Sequence, residues 1–215
     1  MKKNMYSLML TEEIVSEIDR IAAAKGTSRS GLINAILAEY VSYRTPEMRM
    51  NDMFDRMELM LKKSGGIETM MRSSDSLFQL RSMLAYKYNP AVNYSVELYR
   101  IMTDAIGEIR VSLRTQNERL KLYLMQFYKL WAGLEKMYLT HSDCAADGGK
   151  FVKRLVIPGG NSMGEEELCI VISEYITAFD SALKAFFKHL DDADMAVRTV
   201  KEIYLSYYTG CRSAL

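Results

Sequence analysis

The residues able to do covalent or metal chemistry are few, and their spacing decides what they can do. The chain holds two histidines, His141 and His189, and three cysteines, Cys144, Cys169 and Cys211. His141 and Cys144 sit close enough in sequence to form half a metal site, but zinc takes about four ligands. The other candidates show no paired spacing, so all read as ordinary core or surface residues. An odd number of cysteines scattered over the second half is no disulfide framework. Gly159-Gly160-Asn161-Ser162-Met163-Gly164 faintly suggests a phosphate cradle but lacks the Lys-Ser/Thr that completes one. Glu165, Glu166 and Glu167 follow at the start of a helix, where they would repel an anion. There is no Gly-x-Ser-x-Gly elbow and no carboxylate pair on a credible pocket. The expectation is a protein that is not an enzyme, with no cofactor and no metal.

Binding chemistry must then be local. The formal net charge of +1 gives no global basic field, so a nucleic-acid role would have to rest on one surface. Apolar residues at 49% and charged residues at 26% are ordinary for a folded chain. No apolar run approaches the roughly 20 residues that span a bilayer. Lys2 and Lys3 are followed by Glu12 and Glu13 where a signal peptide would need its apolar core. The chain reads as cytoplasmic, with no membrane association.

The elements that position any such surface follow from periodicity. With 16 Met and 14 Tyr against only 3 Pro and 12 Gly, and apolar residues recurring every three or four positions, the chain should be overwhelmingly helical. The exception is the beginning, where Tyr6, Leu8 and Leu10 alternate with Met5, Ser7 and Met9, the period of a strand. Thr11 can then cap a helix whose first turn carries Glu12 and Glu13 and whose stripe is Ile14, Ile18, Ile21 and Ala22. Gly26 ends it. Ser28 can cap a second helix with Leu32, Ile33, Ile36, Leu37 and Tyr40, and Thr45-Pro46 marks a fresh start. Residues 1–44 therefore spell strand, helix, helix. A lone strand leaves its backbone groups unsatisfied, and two short helices bury its apolar face poorly. Pairing with the same strand of a second copy across a two-fold axis is the simplest remedy.

The run Tyr6-Ser7-Leu8-Met9-Leu10-Thr11-Glu12-Glu13, the amphipathic helix after it, Lys25-Gly26-Thr27-Ser28-Arg29-Ser30 and the helix opening on Leu32-Ile33 resemble the ribbon-helix-helix family of Arc, MetJ and CopG-like regulators. The resemblance covers about a fifth of the chain. It implies an antiparallel ribbon from two copies entering the DNA major groove. It further implies that Tyr6, Leu8, Leu10 and Ile36 build the dimer core, while Met5, Ser7 and Met9 face the bases. Lys3, Ser28, Arg29 and Ser30 would hold phosphate, the last three at a helix N-terminus. One departure is visible. Members of the family often carry donors and acceptors at base-facing positions, whereas Met5 and Met9 offer only apolar contact.

Residues 45–215 read as a second domain, an all-α bundle for interaction, oligomerisation or effector binding. Met50, Met53, Phe54, Met57, Met60 and Leu61 form a packing stripe on a helix over 46–63, ended by Ser64-Gly65-Gly66. Leu77, Leu80, Leu84 and Tyr88 predict another helix. From Ser95 to Thr140 no proline interrupts. Ile106, Leu113, Leu120, Phe127 and Leu134 repeat every seven residues, with Ile109, Gln116, Tyr123, Leu130 and Met137 at the companion positions, as in a long self-associating helix. Phe151 to Ile157 could be a strand or a turn of helix. Leu168 through Leu190 and Val197, Val200, Tyr204 and Tyr207 predict two further helices.

The fold expected is thus mainly α, an N-terminal ribbon-helix-helix followed by an all-α bundle with a long heptad-bearing helix. The function expected is a dimeric DNA-binding transcriptional regulator, a repressor. The partners expected are double-stranded DNA, a second copy (or a tetramer of such pairs) and a protein docked on the helical domain. Two other readings stand beside it: an accessory DNA-binding component of plasmid transfer or partition, and an adaptor that keeps the N-terminal segment only to dimerise.

Overall fold

A computed structural model describes residues 5, 7–70, 74–100, 105–139, 142–156 and 163–210 of the chain. The chain divides into two compact units, residues 1–49 and 50–215.

In the first unit, α1 (Glu12–Ala24) and α2 (Arg29–Tyr40) are joined by a turn in which Gly26 takes a φ of +63°. The Ser28 hydroxyl oxygen accepts the Gly31 N–H at 3.1 Å and caps α2. Thr45 caps α3 (Pro46–Ser64) in the same way, its hydroxyl oxygen accepting the Met48 N–H at 3.1 Å. Thr11 stands at the N-cap of α1 but makes no side-chain cap bond, contrary to expectation. Hydrogen bonds from the residue's own backbone N–H and then from Thr11 hold the Glu13 carboxyl below the usual range instead. Residues 7–10 lie outside any helix or strand ladder. The strand expected over residues 5–10 is therefore not formed by one chain, because a single copy supplies no second backbone edge to pair with it.

The second unit overturns the helical expectation. Its strands β1 (Ile67–Thr69), β2 (Leu77–Met83), β3 (Ala91–Leu98), β4 (Ala105–Leu113), β5 (Cys144–Asp147) and β6 (Lys150–Val156) form an antiparallel sheet in the order β1-β2-β3-β4-β6-β5. The helices are α4 (Glu118–Tyr138), α5 (Glu165–Lys188) and α6 (Ala193–Gly210), with α3 running in from the first unit. At 56% helix and 21% strand this is an α/β chain, not a mainly-α one with an N-terminal ribbon-helix-helix and an all-α bundle.

The reasons are local. Leu77, Leu80 and Leu84 have helical spacing, yet the buried set is Phe78, Leu80 and Ser82, alternating with Gln79, Arg81 and Met83, which is a strand period. In β3 the alternation is strict: Val92, Tyr94, Val96 and Leu98 are buried. The seven-residue repeat is half an accident of a bulge. Ile106 and Leu113 are an odd number of residues apart and would face opposite sides of a regular strand. Ala105 pairs with Val156 and Gly107 with Leu155, so Ile106 is an extra residue and both ends reach the core. Gly107 permits this, since a Cβ there would lie 2.2 Å from the Glu97 carbonyl oxygen. Only the later part of the expected long helix exists, as α4, while Ile109 belongs to β4 and Gln116 to the loop before α4. Leu120, Phe127 and Leu134 are buried in α4 together with Leu124, Tyr128 and Trp131, but Met137 is exposed. That face packs on the chain's own core rather than on a twin helix. Of residues 151–157, which could be a strand or a turn of helix, 151–156 belong to β6 (Lys150–Val156), and Ile157 lies outside the described residues. β6 follows a tight turn in which Gly148 and Gly149 have φ of +55° and +76°, the backbone twist a two-residue hairpin favours.

One sheet face carries the core. Phe179 of α5 stands at its centre, with ring centroids of Phe151, Phe127 and Trp131 at 5.0, 5.2 and 5.2 Å. The methionine stripe of α3 joins the same core through Met50, Met53, Phe54, Met57 and Leu61. Tyr204 of α6 packs edge-on against Trp131 at 5.1 Å. The opposite sheet face is polar: Arg110 is ion-paired with Glu97 at 3.4 Å and also with Glu108.

Candidate nucleic-acid interface

The first unit has little interior of its own. Its buried apolar residues are Ala22, Leu32 and Ala38. Leu8, Leu10, Ile14, Ile36, Leu37, Tyr40, Val41 and Tyr43 are all exposed. Of the residues expected in a dimer core, Leu8, Leu10 and Ile36 are thus uncovered within one chain, and Tyr6 lies outside the described residues. Met5, Ser7 and Met9, expected to face bases, are exposed as well. Lys3 lies outside the described residues.

The start of α2 is free of carboxylates in its first turn. Ser28, Arg29 and Ser30 are brought together there, with the two serine hydroxyls 3.3 Å apart. Gly31 leaves the turn uncrowded; a Cβ at that position would come within 2.8 Å of the Thr27 hydroxyl. The free N–H groups of such a helix start, with its positive dipole end, suit an anion. Arg29, however, does not point to an empty site. Its Nε donates to Asp19 Oδ1 at 2.6 Å and its Nη2 to Oδ2, a two-pronged pair from α1 to α2. Hydrogen bonding to Arg29 lowers the Asp19 carboxyl below its usual range, and the same bond raises the guanidinium. Both side chains are about half exposed, so the pair remains accessible to competition from solvent ions. Sequence reasoning missed Asp19. Its signal was position: it lies ten residues before Arg29, on the far arm of a helical hairpin turning at Gly26.

In the second unit the most concentrated polar chemistry is sealed. The Glu135 carboxylate of α4 receives four donors. Trp131 Nε1 at 2.9 Å and the Tyr175 hydroxyl bond Oε1; Lys153 Nζ at 2.6 Å and the Ser142 hydroxyl at 2.8 Å bond Oε2. Glu135 and Lys153 are both fully buried, so this is a satisfied ion pair holding α4, α5 and β6 together. Lys153 announced itself weakly: it occupies the inward position between Phe151 and Leu155. Cys169 is buried, its thiol pushed up to about 11 by desolvation, and donates to the Met53 carbonyl at 3.5 Å. Burial, then Glu135, raises the Cys144 thiol too. His141 and residues 157–162 of the glycine-rich loop lie outside the described residues, while Gly164 caps α5 ahead of Glu165, Glu166 and Glu167. A groove of about 600 Å³ runs between α3, α5 and α6, with Met60, Ile170 and Ile203 as apolar walls and Ser173, Thr177 and Ser206 as hydroxyls.

Compared with family models, with curated proteins and with solved structures, the chain matches none. Among the described residues, no helix is long and apolar enough to cross a membrane.

Proposed function

We propose that this protein is a dimeric DNA-binding regulator, a repressor, that reads the major groove with an antiparallel ribbon made from residues 5–10 of two copies. The observation that carries the reading is the apolar surface spread over residues 8–43, which one chain leaves in water. Nine large apolar side chains exposed over these residues, against three buried apolar ones, is the signature of an element built to be covered. Pairing the N-terminal segments supplies the missing backbone partners, and Leu8, Leu10 and Ile36 then meet their twins. Met5, Ser7 and Met9 alternate with these residues and, by the ribbon-helix-helix resemblance, face the base edges. Ser28, Arg29 and Ser30, with Lys3, take the flanking phosphates, which fix register and carry no sequence information. Binding then requires Arg29 to exchange Asp19 for phosphate. Such a protein works where the DNA is, in the cytoplasm, and the second unit is free to receive a signal or a protein partner.

The Arg29–Asp19 pair and the apolar Met5 and Met9 favour one rival, an adaptor that dimerises through the same segment without binding DNA. Selection of bound duplex from a random pool at fixed salt separates the two. The regulator enriches a site with two-fold symmetry, and an adaptor enriches nothing over the starting pool.

A further inference from the structure

The second unit carries a cleft whose chemistry differs from everything above. It opens at the end of the sheet where β4 passes into α4 and β5 turns into β6, with a volume of about 1030 Å³. Three cations line it, Arg114, Lys121 and Lys150, and no carboxylate does. Lys121 is tied to Glu118 at 2.8 Å. Arg114 and Lys150 make no ion pair among the described residues, in contrast to Lys62, Arg110, Arg154 and Lys184, which all hold carboxylates. Lys150 is the register partner of Ser112 across β4 and β6, and both line the cleft. Asp147 is its partner across the hairpin but does not line the cleft. Gly148 and Gly149 form one wall as bare backbone, and a Cβ on either would touch nothing within 4 Å. Met125 of α4, partly buried, supplies an apolar contact in the lining.

Three cations, two of them without an ion pair among the described residues, beside an apolar methionine fit a ligand with two parts, an apolar body and a multiply charged anionic tail. We propose that this cleft binds a nucleoside polyphosphate, its phosphates between Arg114, Lys121 and Lys150 and its base against Met125. The site lies wholly in the second unit and does not depend on the DNA reading. It gives that unit a small-molecule signal of its own.

Calorimetric titration of the full chain with ATP, tripolyphosphate and adenosine tests it. ATP should bind, tripolyphosphate should bind about tenfold more weakly for want of the base, and adenosine should give no saturable heat. Arg114→Gln and Lys150→Gln should each weaken ATP about tenfold with unchanged circular dichroism, while Lys188→Gln, a cation on α5, leaves it alone. These substitutions are exposed, so folding is retained. Absence of saturable ATP binding at millimolar concentration overturns the proposal. So does an affinity unmoved by Arg114→Gln and Lys150→Gln, or lowered equally by Lys188→Gln. Tripolyphosphate binding as tightly as ATP would remove the base from the site.

Discussion

Replacing Ile36 by alanine should weaken self-association by a predictable amount. Ile36 is 47% exposed in the single chain. Burying an isoleucine side chain fully contributes about 1.5–3 kcal/mol, so covering the half still in water contributes about 1 kcal/mol. A two-fold interface contains the residue twice, which brings the contribution to about 2 kcal/mol per dimer. Alanine retains the Cβ, so the loss is about 1.5–2 kcal/mol, or a dimer dissociation constant raised about 10- to 30-fold. Sedimentation equilibrium over a range of protein concentrations measures it directly. Leu59→Ala is the control, because Leu59 is similarly exposed (62%) but belongs to α3 in the second unit. The monomer should keep its helicity, since an exposed side chain contributes little to folding. An Ile36→Ala constant within about threefold of the parent, or an equal shift in Leu59→Ala, would refute the assignment of this surface to the dimer.

Three other outcomes are expected. Asp19→Asn should release Arg29 and raise affinity for all duplex sequences by about three- to tenfold at low salt, whereas Arg29→Ala should lower it uniformly and reduce the salt slope by about one; fluorescence anisotropy with several duplexes reads both. Gly107→Ala forces a Cβ against the Glu97 carbonyl and should cost about 3 kcal/mol. Gly133→Ala, in open space within α4, should instead stabilise by up to about 1 kcal/mol, and thermal melting distinguishes the two. Burial raises the hydroxyl pKa of Tyr94, Tyr128, Tyr175 and Tyr204 above the ordinary value, with Asp180 adding to the effect at Tyr94 and Glu135 at Tyr175 and Tyr204. The folded state keeps these protons when the unfolded state sheds them, so stability holds below about pH 10 and falls as pH rises toward the folded values. Their tyrosinate absorbance should then appear together with loss of circular dichroism; ionisation of all four in a chain of unchanged helicity would contradict it.

What the sequence made legible follows the strength of its punctuation. Gly26, Ser28 and Thr45-Pro46 delimit α1, α2 and α3 because each has a local physical role that no tertiary contact overrides. α5 and α6 were legible because their apolar stripes are long and of one period. The sheet was hidden in two ways. Residues 77–98 carry a true period of two, with Val92, Tyr94, Val96 and Leu98 inward, but leucines spaced by three and four overlay it. In β4 the bulge at Ile106 shifts the inward phase, so that a strand imitates a heptad and merges with the real stripe of α4. A scan for alternation alone, with Gly107 taken as a bulge marker, would have separated them. The candidate interface was legible as positions and residue types. The Arg29–Asp19 pair and the cationic cleft were not, because both depend on which elements turn back on each other.

The most direct test of the central claim is the number of chains on one DNA site. Sedimentation velocity of the full chain on a duplex recovered from the random pool should give two copies per two-fold site. Leu8→Pro, which removes a backbone donor from the paired segment, should abolish both the dimer and the complex. One chain bound per duplex, or a complex retained at full affinity by Leu8→Pro, would contradict the account.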